Sequence, residues 1–482
     1  MRCLKPIPSS VRHDERYRGS ADHISGRLVF RGICDYSGTQ GDNSTHWFLQ
    51  AWPIRPNSQG RKLPMRIVIL SINYWPEETG IGAFTTCRAE YLARAGHDVT
   101  VCTTFPYYPD WKVPPEYKGR LLSSEMRNGV RILRSYAFIP NPVTSLKRVV
   151  HEASFVTSSF MRAAVLRSPD ILLAVSPPLG LATSAILLSG LWRVPFVFDV
   201  EDLQPDAAAD LDMLPRWALR MMYGVEGLAY RHATLVSTLT RSMRAKIIQK
   251  GVEEEKVILF EPRAPEELVD IQRQEGTEFR QRYGLEGKFI VTHSGNLGLK
   301  QGLDVILDAA RMSQGDGSLM YLLVGNGSAR ENIARRAAKM ELENVRFLPL
   351  LDSRDFRGLL AASDVCLVTQ RKSVSDIVFP SKTVTYLAAG CAVIASVNSG
   401  SEVAQTIRES GAGAVVQPED AEALQKAVCE LRASNLEERR RNAREYAALR
   451  WSSARVLGFL ERSLVAVATA APASLAEQET GV

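Results

Sequence analysis

Short, nearly unbroken runs of β-branched and apolar residues recur along this chain with helical stretches between them. That alternation restricts the fold more than any other feature. From Met65 the chain reads Arg66-Ile67-Val68-Ile69-Leu70, then a helical pattern from about Ala83 to Ala95, then His97-Asp98-Val99-Thr100-Val101-Cys102. A strand, a helix and a strand with no hairpin turn between them form a βαβ unit, whose strands pair in parallel through the crossover. Further strands are expected at 130–133, 171–175, 196–199, 235–237 and 257–260. Strands so uniformly apolar are buried on both faces, as in a parallel sheet covered by helices. A second series opens at Phe289-Ile290-Val291-Thr292-His293 and continues at 318–324, 345–348, 365–369, 392–395 and 414–416.

A single core stops growing near ~250–300 residues, and this chain has 482. The expected class is therefore α/β, with two Rossmann-like domains over residues 65–260 and 261–450. Glu261-Pro262-Arg263-Ala264-Pro265 suits a hinge, because its prolines disfavour helix. The last helical pattern is broken near Arg450-Trp451, and 451–482 is expected to return to the first domain and end in a loose tail after Val465. Residues 1–64 show no sustained period and no apolar run of a signal peptide. They are expected to be a disordered extension or a misassigned start, Met65 being where such a domain opens.

The net charge is +6, but residues 1–64 hold ten basic and five acidic side chains, which leaves +1 for the rest. A nucleic-acid partner is not expected from so neutral a body. The seven cysteines form no CxxC pair or metal-ligand spacing and read as reduced thiols, with no metal site. The most apolar helical stretch, Leu179 to Trp192, is closed by Arg193 and Pro195, too short for a ~30 Å hydrocarbon core.

Glycine loops stand where ligands bind in such folds. Gly80 and Gly82 open the first helix, whose free N–H groups and dipole favour an anion. A dinucleotide fingerprint needs glycines directly after the strand and an acid closing the second strand. Here eight residues separate Ser71 from Gly80 and the second strand ends in Thr103-Thr104, which disfavours hydride transfer. In the second domain, Gly295, Asn296 and Lys300 follow the first strand, and two such facing loops suggest a cleft. Gly325-Asn326-Gly327 follows the next strand, either for close ligand approach or as a tight turn. Ser381 and Lys382 begin a helix after Pro380; a lysine there opposes the helix dipole unless an anion joins it. Asp199, Glu201, Asp202 and Asp206 crowd a strand end, for proton handling or sugar hydroxyls, or merely for capping and solvation. Arg131, Arg134, Lys147, Arg148, Arg162 and Arg167 gather against Glu152, with Phe155, Phe160 and Met161 interleaved, and 215–223 mixes aromatic, apolar and basic residues. Both stretches fit either an anionic membrane surface or helices with an ordinary basic outer face.

Taken together, Asn73-Tyr74-Trp75-Pro76-Glu77-Glu78-Thr79-Gly80, Ala95-Gly96-His97-Asp98-Val99 and Gly295-Asn296-Leu297-Gly298-Leu299-Lys300-Gln301-Gly302-Leu303 resemble the GT-B glycosyltransferases of family four. The resemblance covers about Met65 to Val465 and is nearest to the WcaI-type branch linked to colanic acid and other exopolysaccharides. It implies two Rossmann-like domains facing across a cleft, and a retaining, metal-independent hexosyl transfer with no cofactor. The UDP- or GDP-linked sugar donor would be held mainly by the second domain, and a lipid-linked saccharide acceptor by the first. It implies a cytoplasmic enzyme, peripheral on the inner face of the plasma membrane. Leaving-group charge would be taken by Gly80, Gly82, Lys300 and Lys382, while Glu201 and Asp202 match the acceptor-side His-Asp of relatives. The chain departs from the wider family at Asn296 and Gln301, where relatives commonly carry Arg and Lys, and at Ile377 and Thr385, where they carry glutamates. Glu402 is the nearest remaining acid for sugar or ribose hydroxyls. Two other readings of this architecture stay open: a nucleotide-sugar epimerase, and a non-catalytic nucleotide-sugar-binding protein.

Overall fold

The computed structural model describes residues 64–77, 80–210, 214–374 and 379–478. The expected extension over 1–64 thus lies, but for Pro64, outside the described residues, as do Glu78, Thr79 and Ile377. Two α/β sheets carry the rest. The first contains β1 (Arg66–Leu70), β2 (Asp98–Thr104), β3 (Leu122–Arg127), β4 (Val130–Ser135), β5 (Ile171–Ser176), β6 (Phe196–Val200), β7 (Leu235–Thr238) and β8 (Val257–Leu259). Their spatial order is β3-β4-β2-β1-β5-β6-β7-β8. The second contains β9 (Phe289–Asn296), β10 (Leu319–Asn326), β11 (Val345–Leu348), β12 (Val365–Thr369), β13 (Ala392–Ser396) and β14 (Gly413–Val416), ordered β11-β10-β9-β12-β13-β14.

Every pairing is parallel except β3 with β4. β3 was not expected, because Leu122-Ser123-Ser124-Glu125-Met126-Arg127 is half exposed and lacks an apolar run. Its hairpin nevertheless carries a signal: Asn128 and Gly129 both have positive φ, at 47° and 82°, the primed turn that Asn-Gly favours. The central strands are buried on both sides, with Ile67, Ile69 and Leu70 at 0% exposure, which is why they read as continuous apolar runs. Some of the helices start where a short polar side chain caps the first turn, as Thr144, Thr240, Ser401 and Asp420 do.

In both sheets the strand order reverses beside the first strand, between β1 and β5 and between β9 and β12. Open parallel sheets bind ligands outside the carboxyl ends of the strands at such a switch point. The expected hinge is held from behind. Ala264 donates its N–H to the Trp451 carbonyl at 2.9 Å, and Arg450 pairs with Glu261 at 2.7 Å. The helix Ser453–Gln478 then returns to the first domain, burying Leu457, Leu460 and Leu464 among Ile67, Ile69 and Val99. Each such leucine contributes about 1.5–3 kcal/mol. This helix continues past Val465, where a loose tail was expected; Val467 and Ala468 still pack on the same core. Among the described residues no helix is long and apolar enough to cross a membrane.

Candidate active site

The two glycine loops of the second domain lie side by side because β9 and β10 stay in register to their ends, Gly295 against Gly325 and Asn296 against Asn326. A Cβ on Gly325 would stand 2.0 Å from the Gly295 carbonyl, and one on Gly327 would stand 2.5 Å from Asn296 Oδ1. These glycines are needed first to let the loops touch, and the contact leaves their backbone at the crevice. The Leu299–Gln301 turn follows and carries Lys300, with Gly302 in the left-handed region at φ 58°.

Lys382 sits in the first turn of the helix Ser381–Ala388, which has no acidic residue there. Tyr386 of the same helix fixes its register, its hydroxyl accepting from the Ser294 N–H at 2.9 Å. Lys382 Nζ thereby comes 3.0 Å from His293 Nε2, and its chain passes beside Gly295. Burial and the Lys382 charge hold His293 well below its usual pKa, so the imidazole is neutral and accepts from the ammonium. Burial pushes Lys382 itself down to about 8. Among the described residues no carboxylate lies within ion-pair distance of it. The structure therefore brings Gly295, Asn296, Ser381 and Lys382 together at the end of β9, around a cation with no carboxylate partner among the described residues.

Arg371, which the sequence reading missed, lies just past β12. With Gly298, Leu299, Asp304, Asn332 and Arg336 it lines a cavity of about 260 Å³ beside the Lys300 turn. Its signal was the position alone, a basic residue directly after a strand at the switch point.

In the first domain Gly80 caps the helix Ile81–Arg94 with φ 58° and open space around it. Gly82 instead answers a packing need, since a Cβ there would lie 2.8 Å from the Glu77 carbonyl. Glu77 binds the next loop: its Oε1 accepts from the Tyr107 and Tyr108 N–H groups at 2.8 and 2.9 Å, and its Oε2 accepts from Asn73 at 2.7 Å.

The four crowded carboxylates separate. Asp199 and Glu201 both pair with Arg88, the latter at 2.8 Å, and Arg88 also reaches the Phe260 carbonyl at 3.3 Å. Burial drives the Glu201 pKa up to about 8, the Arg88 charge opposing and Asp199 adding to the shift. Glu201 is thus an internal tie between the first helix, β6 and the hinge, which corrects its expected acceptor-side role. Asp206 pairs with Lys250. Asp202 alone stays exposed at the crevice. The crevice walls raise its pKa, while the charges of Lys300, from the other domain, and Arg148 lower it.

Glu402 is also corrected. It is buried, and its oxygens accept from the Arg241 and Ser242 N–H groups at 3.1 and 3.0 Å, at the start of the helix Arg241–Gln249. An acid on a helix N-terminus is favourable, so this carboxylate clasps the two domains and does not face the crevice. Arg134 leaves the basic surface as well: it is fully buried, donating to the Thr104 and Trp75 carbonyls at 3.0 and 2.7 Å.

Comparison with known proteins places this geometry. Residues 79–262 match the Glycosyl transferase 4-like domain and residues 275–450 match Glycosyl transferases group 1. The chain is 32% identical to the putative colanic acid biosynthesis glycosyl transferase WcaI of Escherichia coli over 371 residues, 75% of this chain and 90% of that one. Among solved structures, Anabaena HepE in complex with UDP superposes with a TM-score of 0.63 at 16% identity, covering 83% of this chain and all of HepE. Sucrose-phosphate synthase from Thermosynechococcus elongatus gives 0.65 at 18% identity, over 83% and 99%. The two facing Rossmann-like domains are the GT-B fold, and the chain belongs to the family-four glycosyltransferases, in the WcaI-type branch.

Proposed function

We propose that this glycosyltransferase moves a hexosyl group, with retention, from a UDP- or GDP-linked donor to a lipid-linked saccharide. It would act at the inner membrane surface in the synthesis of a bacterial exopolysaccharide. The observation that carries the reading is Lys382: a cation held by neutral His293 beside Gly295, with no carboxylate partner among the described residues. A diphosphate is the group that completes such a site. HepE has been crystallised with UDP and with UDP-glucose, which supports a nucleotide-sugar donor, and the description of WcaI supports the polysaccharide context.

In this reading the bond from the sugar C1 to the diphosphate oxygen breaks as the acceptor oxygen bonds to C1 from the same face. The acceptor proton passes to the departing phosphate. Lys382, Lys300 and the loop N–H groups take up the charge that develops on the diphosphate, and this electrostatic stabilisation contributes most to lowering the barrier. No metal or cofactor is assigned a role. Asp202, across the crevice from Lys300, orients the acceptor hydroxyl.

Two helix faces of the first domain support a membrane position. Ser145–Ala164 exposes Leu146, Val149, Val150 and Met161 beside Lys147 and Arg162, and Arg216–His232 exposes Trp217, Met221 and Leu228 beside Arg220. Apolar and basic residues on one exposed face suit an anionic bilayer surface. A panel of UDP- and GDP-sugars, incubated with and without membranes bearing lipid-linked saccharides, tests the reading through nucleotide release. Release from one donor that requires those membranes is expected. Isomerisation of the donor without them would identify an epimerase instead, and donor binding without turnover a non-catalytic protein.

A further inference from the structure

The loop after β2 places an aromatic residue in a conformation that needs a reason. Trp111 has φ 53°, the left-handed region that bulky residues avoid. Its ring lies edge-on to Tyr107 at 5.3 Å and to His151 at 5.5 Å, and Tyr107 meets His151 at 4.7 Å. Glu77 fixes the base of this group through the Tyr107 and Tyr108 N–H groups.

His151, on the helix Ser145–Ala164, lies 2.7 Å by Nδ1 from the Phe138 carbonyl. A carbonyl only accepts, so Nδ1 carries the proton and Nε2 the lone pair. That Nε2 is buried, the residue being 2% exposed, and has no hydrogen-bond partner among the described residues. Buried polar atoms are nearly always paired, and an orphan marks strain, a catalytic role, or a place for a water, ion or ligand. Arg148, one turn earlier, holds its guanidinium 5.9 Å from the Trp111 ring centre and has no carboxylate within ion-pair distance among the described residues. Its charge acts on Asp202, on which Lys300 also acts. The group therefore adjoins the crevice on the side of the first domain.

We propose that Trp111, His151 and Arg148 form the acceptor subsite, and that it takes a sugar ring joined to a phosphate. The inference rests on the transferase reading above and names its substrate class. The indole offers an apolar face to the C–H side of a pyranose, His151 Nε2 accepts from a sugar hydroxyl once Trp111 shifts, and the Arg148 fork matches phosphate oxygens. A neutral sugar leaves Arg148 unused. Free phosphate leaves the ring and the imidazole unused. Only the joined ligand engages all three.

The test uses the full chain saturated with UDP and titrates glucose 1-phosphate, galactose 1-phosphate, glucose and inorganic phosphate by saturation-transfer NMR and calorimetry. A sugar 1-phosphate is expected to bind at least tenfold more tightly than glucose or phosphate. Trp111→Ala and His151→Phe each reduce that affinity about tenfold, and Arg148→Gln reduces it to that of glucose, with UDP affinity unchanged in all three. If the first two variants lose UDP binding through misfolding, Arg148→Gln, an exposed position, decides alone. Equal binding of glucose and its phosphate, binding unaltered by Arg148→Gln, or no binding of any probe overturns the subsite. Adding citronellyl diphosphate-linked glucose separates the two sources of such a ligand. Tighter binding than glucose 1-phosphate assigns the lipid-linked form, and weaker binding the soluble form, each dependent on Arg148. Loss of the subsite with donor turnover intact leaves the transferase reading standing, whereas absence of turnover with every donor counts against that reading itself.

Discussion

Replacing Lys382 by methionine removes a buried charge while keeping the length and packing of the side chain. The Lys382 pKa falls from 10.5 to about 8 through burial, about 2.5 units, and one unit is 1.36 kcal/mol. The folded protein without ligand therefore carries an unfavourable contribution of roughly 3 kcal/mol from this ammonium at neutral pH. The variant also strands the His293 Nε2 lone pair, at a cost of about 1 kcal/mol. Lys382→Met is thus expected to stabilise the unliganded protein by about 2 kcal/mol at pH 7, seen as a higher Tm. The direction with pH follows from the depressed folded value. The penalty is fully present below about pH 8 and fades as pH rises toward 10.5, so the advantage of the variant shrinks over that window and is gone above it. Donor affinity moves the other way. A charge-assisted hydrogen bond is worth about 1.5–3 kcal/mol, so UDP binding by calorimetry weakens on the order of 10- to 100-fold. A variant that is less stable than the parent at pH 7, or that binds UDP equally well, refutes the assignment of Lys382 as a cation awaiting a diphosphate.

Other expectations follow from the corrected residues. Glu402→Ala leaves two helix N–H groups unpaired and costs about 1–2 kcal/mol by denaturation, with UDP affinity unchanged within twofold; a tenfold loss of affinity would return Glu402 to the donor site. Glu201→Ala removes one of the two carboxyl groups buried against Arg88, Asp199 staying paired with it, and destabilises by about 1–3 kcal/mol, while Asp202→Asn leaves stability untouched and slows transfer, a split readable from Tm against kcat. Reversing Lys147 and Arg162 to glutamate weakens co-sedimentation with anionic vesicles at least tenfold, since each surface cation contributes about 1 kcal/mol; equal sedimentation removes that helix from the membrane face. Leu464→Ala costs about 2–5 kcal/mol, because it opens a cavity where the last helix returns to the first domain, and a smaller loss would show that this helix is loosely docked.

The strands were legible because both faces of each sheet are covered, which writes burial into consecutive residues. The β3 strand was not, since an edge strand paired on one side needs no apolar run; only Asn128-Gly129 announced it. The place of Lys382 was legible from a local conflict, a cation where a helix begins. Its partner His293 was not, being 89 residues away along the chain. Glu201 and Glu402 were misread for the same reason. Their partners Arg88 and Arg241 lie 113 and 161 residues distant, and spacing along a sequence carries no record of which charges the fold will bring together. The Trp111, His151 and Arg148 group was missed because it joins a loop to a helix across an intervening hairpin. Charge counts marked Arg148 as part of a patch and Arg134 beside it, yet β4 turns Arg134 inward to two carbonyls.

The central claim is transfer across a crevice in which Lys382 neutralises the leaving diphosphate. Its most direct measurement follows radiolabelled sugar from the preferred nucleotide donor into the lipid extract of acceptor membranes, comparing the parent protein with Lys382→Met, and assigns the new linkage by NMR. The account predicts label in the lipid fraction with the anomeric configuration of the donor, and a loss of at least tenfold in the variant. Label in the lipid at an undiminished rate in the variant, or a product with inverted configuration, would contradict it.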